Sequence, residues 1–282
     1  MKNVIWKWWG SYMNAEVNNK DLIEIYKKTV HNIEKEVKRI SFFNKFRLKK
    51  SSHCKQEVLA LENGQGIHVP NTDNFGEKAS GRIHTFYNGD KYIGKLIDGQ
   101  MTGKGTYIFL QDDGSELEYV GDFKDDMKNG NGVCELPNKC LYIGQWKDDV
   151  MEGIGKMIYS SDDEYLGNWK HGKKEGHGIY TWKDSGMYIG EFKHGKMEGI
   201  GTCYDYNGFI IYEGEFKNNL PHGQGVYTWP DNKRYVGEFK HGKRHGFGTF
   251  YINDEISYQG NWKFDKPSIF NKSLDELISS IK

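Results

Sequence analysis

Proline is scarce in this chain of 282 residues: there are five, against 35 glycines. Disorder of the proline-rich kind is therefore not expected. Cysteine is scarce too. Cys54, Cys134, Cys140 and Cys203 form no Cys-x-x-Cys pair and no zinc spacing, which points to free thiols in a reducing compartment. No apolar run approaches the ~20 residues that span a bilayer, and no secretory leader is visible. Net charge is zero, so the basic footprint of a nucleic-acid binder is missing. Hydrophobic content is only 37%, but aromatic content is 15%, so burial must come from rings more than from aliphatic side chains.

What the chain has is a repeat. A Tyr-x-Gly register occurs at Tyr92, Tyr119, Tyr142, Tyr165, Tyr188, Tyr212, Tyr235 and Tyr258, at spacings of 27, 23, 23, 23, 24, 23 and 23 residues. Two residues past each glycine stands a ring (Phe123, Trp146, Trp169, Phe192, Phe216, Phe239, Trp262) or, once, Leu96. A Gly-x-Gly pair follows, as at Gly176/Gly178, Gly223/Gly225 and Gly246/Gly248. In Tyr235–Gly237–Phe239 the period is two, so Tyr, Gly and Phe share one face of a strand. The run HGKRH after it reads as a turn, and each unit as one β-hairpin of ~6-residue strands. Glycine leaves gaps that neighbouring tyrosine and tryptophan rings can cover. Pro137, Pro221 and Pro230 fall in expected turns. The 24-residue step predicts a longer turn or a bulge near Tyr206, Asn207 and Gly208.

The pattern resembles the MORN repeat (membrane occupation and recognition nexus), YxGxWxxGxxxGxGxxxxxxG. YLGNWKHGKKEGHGIYTWKDSG from Tyr165 follows it almost position for position. The resemblance covers seven full units over 92–257, a truncated eighth to about 266, and a half-unit from Ser80. Departures are the long first unit, Leu96, and Asp126, Asp149 and Asn219 where a loop glycine is expected. The resemblance implies a mainly β fold, an elongated, single-layer antiparallel meander of hairpins. Three regions are expected: an aromatic and basic arm at 1–75, the repeat sheet at 76–266, and a short amphipathic capping helix at 267–282.

The arm holds Trp6, Trp8 and Trp9, three rings suited to an apolar groove or interface. Ile23, Tyr26, Val30, Ile33, Val37 and Ile40 step by 3, 4, 3, 4, 3, a heptad seam that predicts a helix over about 20–40. The seam would pack on this chain's own sheet, on a partner helix or on a second copy. At the other end, Ser273 with Glu276 makes a capping box before Leu274, Leu277, Ile278 and Ile281.

No catalytic set is visible. The Gly-x-Gly pairs lack the Lys-Ser/Thr of a phosphate loop. The turn histidines His171, His194 and His241 would sit ~10 Å apart in neighbouring units, too far for one metal ion. No catalytic, metal-binding or cofactor-binding residue is nominated. Candidate contact residues are the arm residues named above and the repeat-face rings Tyr142, Trp146, Tyr165, Trp169, Tyr188, Phe192, Tyr212, Phe216, Tyr235 and Phe239. Lys170, Lys193, Lys217 and Lys240 form a column suited to acidic lipid headgroups. Asp122, Glu191, Glu215 and Glu238, two residues earlier, could neutralise such a column by pairing. The resemblance implies a non-enzymatic, cytoplasmic scaffold for protein partners, within a cytoskeletal assembly such as a cilium or flagellum. A peripheral adaptor for acidic phospholipids is the alternative reading. No nucleic-acid partner is expected.

Overall fold

The computed structural model describes residues 83–268 and six positions of the N-terminal segment: Glu24, Lys27, Lys28, His31, Asn32 and Lys35. Those six are helical and exposed. The heptad seam, the three arm tryptophans and the proposed C-terminal helix lie outside the described residues.

The chain divides into two compact units, Met1–Lys173 and Lys174–Lys282. Unit 1 holds β1 (Ile83–Thr85), β2 (Lys91–Ile97), β3 (Gln100–Leu110), β4 (Glu116–Lys124), β5 (Met127–Glu135), β6 (Leu141–Lys147), β7 (Val150–Ile158) and β8 (Glu164–Lys170). β9 (Lys173–Trp182) starts at the border. Unit 2 continues with β10 (Gly186–Lys193), β11 (Lys196–Asp205), β12 (Ile210–Lys217), β13 (Leu220–Thr228), β14 (Lys233–Lys240), β15 (Lys243–Ile252), β16 (Glu255–Lys263) and β17 (Lys266–Pro267). Within each unit every strand pairs antiparallel with its neighbour in sequence.

Most strands are longer than the six residues expected. The reason is the turn. Only two residues form it, both in the left-handed region: His241 at φ 52° with Gly242 at 78°, and His194 at 52° with Gly195 at 86°. Two-residue turns of this hand match the twist of the flanking strands. Lys243, Arg244 and His245, read from sequence as turn, therefore belong to β15. Pro221 likewise lies in β13 rather than in a turn. The units lacking the turn glycine use Asp126 (φ 65°), Asp149 (67°), Asn219 (71°) and Asp265 (70°), residue types that tolerate the left-handed region.

The same residues add a bond that glycine cannot. Lys128 N–H donates to Asp149 Oδ1 at 2.9 Å, and Met197 N–H to Asn219 Oδ1 at 2.8 Å. In return the turn N–H of Asp149 donates to Lys128 O at 3.0 Å, and that of Asn219 to Met197 O at 3.0 Å. Gly242 keeps the second of these bonds, to Pro221 O at 2.9 Å. Proline has no N–H to satisfy, and this turn has no side-chain acceptor.

The core is a row of tyrosines. Tyr92, Tyr119, Tyr142, Tyr165, Tyr188 and Tyr235 are 0% exposed. The rings of Tyr92, Tyr119, Tyr142, Tyr188 and Tyr235 each lie over the glycine two residues on and over that glycine's cross-strand partner. A Cβ at Gly190 would come within 2.6 Å of both Tyr188 Cζ and Gly201 Cα. The rings covering glycine are thus the tyrosines; the tryptophans and phenylalanines stand edge-on against them. Tyr142 meets Trp146 at 5.0 Å and 86° and Trp169 at 5.3 Å and 87°. Tyr188 meets Phe192 at 5.3 Å and Phe216 at 4.9 Å in the same way. Edge-to-face pairs add about 0.5–1.5 kcal/mol each beyond area burial.

Pairing slips between the glycine and the following ring, at Gly190/Phe192, Gly214/Phe216 and Gly237/Phe239, which leaves the intervening residue bulged. The tyrosine hydroxyl donates to the carbonyl of that bulged residue: Tyr188 to Glu191 O, 2.9 Å; Tyr212 to Glu215 O, 2.9 Å; Tyr235 to Glu238 O, 3.0 Å. The extra residue of the 24-residue unit also becomes a bulge. It sits at Ile211, where Cys203 pairs with Tyr212 but Tyr204 with Ile210. Tyr212 and Phe216 stay buried downstream, so the face does not flip.

Trp169→Ala and Phe192→Ala should each cost about 3–5 kcal/mol in urea unfolding. Tyr188→Phe should cost about 1–2 kcal/mol, because it strands the Glu191 carbonyl. A loss under about 1 kcal/mol for either alanine variant would contradict the ring-built core.

Candidate binding faces

The ten candidate rings of the repeat are core residues, all between 0% and 6% exposed. They hold the sheet together and offer little surface to a partner. Their chemistry is also closed. Burial pushes the phenols of Tyr119, Tyr142, Tyr188, Tyr212 and Tyr235 well above their ordinary range, and that of Tyr92 up to about 12.

A second aromatic row escaped the sequence reading. It follows the second glycine of the Gly-x-Gly in three units: Tyr107 and Phe109, Tyr180 and Trp182, Tyr227 and Trp229. Each pair is half-buried and in contact, at 4.6, 5.1 and 4.4 Å between centroids. The signal is present as aromatic-x-aromatic runs in GTYIF, GIYTW and GVYTW, weaker than the Tyr-x-Gly register because only three units carry it. Cations lie among these rings. Lys174 Nζ is 4.5 Å from the Tyr180 centroid and 5.5 Å from that of Phe192, and burial lowers its pKa. The Arg244 guanidinium is 4.5 Å from Trp262 and 5.5 Å from Trp229. These are cation–π contacts on a surface otherwise made of rings.

Lys170, Lys193, Lys217 and Lys240 are exposed beside the two-residue turns. The acids expected to neutralise them do something else. Glu191 Oε1 accepts the Ile200 N–H at 3.1 Å, Glu215 Oε1 that of Gln224 at 2.8 Å, and Glu238 Oε1 that of Phe247 at 3.0 Å. Asp122 accepts the Asn131 N–H at 2.9 Å, and its ion pair is with Lys104 at 3.3 Å. The bulge frees those N–H groups from the ladder, and the carboxylate replaces the lost acceptor. Among the described residues, the four lysines form no ion pair.

The two units differ at their turns. In unit 1 three of the turns carry Asp98, Asp125, Asp126, Asp148 and Asp149, and the last is KHGK at Lys170–Lys173. In unit 2 they are KHGK, KNNL, KHGK and KFDK, with exposed Lys193, Lys196, Lys217, Lys240, Lys243, Lys263 and Lys266. The one acid there, Asp265, is taken by Arg244, whose N–H and Nε donate to it at 3.0 and 3.3 Å. Lys193 directly opposes Lys196, and Lys240 opposes Lys243, like-charge pairs that cost stability. The turn histidines stand beside acids. His171 and His194 lie 4.0 and 3.6 Å from Glu152 and Glu175. Among the described residues no group of three His, Cys, Asp or Glu is placed to hold a metal ion. Nor is any helix among them long and apolar enough to cross a membrane.

A MORN-repeat family model matches residues 92–109, 119–141, 142–164, 165–187, 188–209, 212–234, 235–255 and 258–268. The chain belongs to the MORN-repeat family. No curated protein matches it. Among solved structures, a streptogramin B lyase is similar at 10% identity over 64% of this chain and 68% of that one, with a TM-score of 0.15, too low to bear on fold or function.

Burial raises the thiol of Cys134 to about 11 and that of Cys203 to about 12. At pH 8 both should resist a disulfide reagent in the folded protein and react on unfolding. Peptide mapping that finds either one modified within minutes under native conditions would contradict their placement.

Proposed function

We propose that this MORN-repeat protein is a non-enzymatic scaffold that holds protein partners, within a cytoskeletal assembly of the ciliary or flagellar type. The observation that carries this reading is the second aromatic row. The first row is spent on folding, whereas Tyr180/Trp182 and Tyr227/Trp229 remain half-buried, with Lys174 and Arg244 among them. Aromatic and arginine side chains around a partly dry surface are the usual composition of a protein contact. Trp182→Ala with Trp229→Ala should lower partner recovery about tenfold in affinity isolation coupled to cross-linking mass spectrometry. The cost in stability should be smaller than for Trp169→Ala. An unchanged set of partners would move binding away from these rings.

A second reading is favoured by the turns of unit 2. Their lysines stand exposed and in no ion pair among the described residues, although Glu175 and Glu198 accept the His194 and Asn218 N–H groups of the same turns, and Leu220 (45% exposed) and Phe264 (45%) lie between them. A basic edge with apolar tips suits an acidic phospholipid surface, where each lysine contributes about 1 kcal/mol. Lys193, Lys217 and Lys240 changed together to Gln should abolish co-sedimentation with phosphatidylserine vesicles if this reading holds. Equal sedimentation of the variant and the wild type would dismiss it.

A further inference from the structure

The sheet face of unit 2 opposite the tyrosines carries a chemistry that neither reading uses. Ile189, Thr202, Glu213, Val226, Val236 and Thr249 follow one another across it by direct pairing or through the intervening strand. Beside that line Ile200 pairs with Glu215, and Gln224 with Glu238. Ile200 is 49% exposed, Val236 37% and Phe247 52%. The carboxylates of Glu191, Glu213, Glu215 and Glu238 alternate with these apolar groups. None of the four makes an ion pair among the described residues, so the face is both acidic and apolar. Three of the carboxylates are held in fixed positions by the backbone N–H bonds across the bulges.

The chain also contains the complement. Residues 37–56, VKRISFFNKFRLKKSSHCKQ, hold seven lysines and arginines and no acid, with Ile40, Phe42, Phe43, Phe46 and Leu48 among them. Residues 1–58 carry 13 basic against 6 acidic residues, about +7, and the remainder 26 against 33, about −7. We infer that the glutamate face of unit 2 receives residues 37–56 of a second copy of this chain, so that the protein self-associates through its own basic segment. The phenylalanines would cover Ile200, Val236 and Phe247, and the basic side chains would meet the glutamates. Opposite potentials on the two surfaces set both the register and the rate of encounter.

The test uses the full-length protein. Replacing Glu191, Glu215 and Glu238 by Gln removes the charge and keeps the carbonyl that accepts the bulge N–H. Gln145 already fills that role, accepting from Ile154 at 2.8 Å. The triple variant should therefore melt with the wild type. Light scattering after gel filtration should show wild-type dimers at about 0.1 M salt that dissociate near 1 M, where the screening length falls to about 3 Å. The dimer of the triple variant should be at least about tenfold weaker. The change of Lys45, Arg47, Lys49 and Lys50 to Glu should weaken it in the same way. Carbodiimide coupling of a mixture of 14N- and 15N-labelled protein should join Lys45, Lys49 or Lys50 of one isotope to Glu215 or Glu238 of the other. A monomer at every concentration, a dimer indifferent to the Gln variant, or coupling confined to a single isotope would each overturn the proposal.

Discussion

Everything described depends on a tyrosine ring lying flat over two hydrogen atoms. Each tyrosine needs glycine two residues on and glycine across the strand, because any Cβ there would occupy the ring's space. Glycine alone would weaken a strand, and a single layer of strands has no second layer to bury its rings. The pairing resolves both problems. The ring shields the glycine backbone, the glycine admits the ring, and the edge-on Phe or Trp closes the remaining side. The hydroxyl reaches the one carbonyl that the bulge takes out of the ladder. A repeat built this way obtains a core from side chains that lie within the sheet.

Side chains at the bulge answer a related demand. The N–H released there has lost its acceptor in the ladder and takes one from a side chain. Glu191, Glu215, Glu238, Asp122 and Gln145 provide it. That explains why the column accepts both charged and neutral side chains, and why it fails to quench the lysines two residues later. Charge in this protein is therefore arranged by backbone needs first. What is left over, basic turns in unit 2 and an acidic opposite face, is surface available for partners.

The fold was legible because its period is written in glycine and tyrosine, residue types whose spacing admits one geometry. The alternation Tyr235–Gly237–Phe239 predicts a shared face, and the structure buries Tyr235 and Phe239 together. Detail below that level was less legible. HGKRH looks like a five-residue turn because histidine and lysine are turn-tolerant, yet only His241 and Gly242 turn. The acids before the lysines look like ion-pair partners because sequence shows proximity and not the bulge that redirects them. The tyrosines and tryptophans of the first register looked like a contact surface because rings are equally suited to cores and interfaces. Only burial separates the two uses: the first register is buried, and the row of Tyr180, Trp182, Tyr227 and Trp229 is left half-buried.

The two margins of the sheet are built to different rules. On the lysine-bearing margin the connection is always two residues. Most connections on the other margin place one residue, such as Gly89, Lys139, Gly208 or Asn232, in the left-handed region at the end of a three-residue loop. The long first unit shows what this permits. Its four extra residues lengthen β3 and β4 by two further pairs, Phe109 with Leu117 and Leu110 with Glu116, and push the loop outward without disturbing Tyr107 opposite Tyr119. Divergence among such arrays should therefore accumulate along that margin, by insertion of residue pairs or, as at Ile211, of a single bulged residue. The tight margin would hold its length and change only its charge.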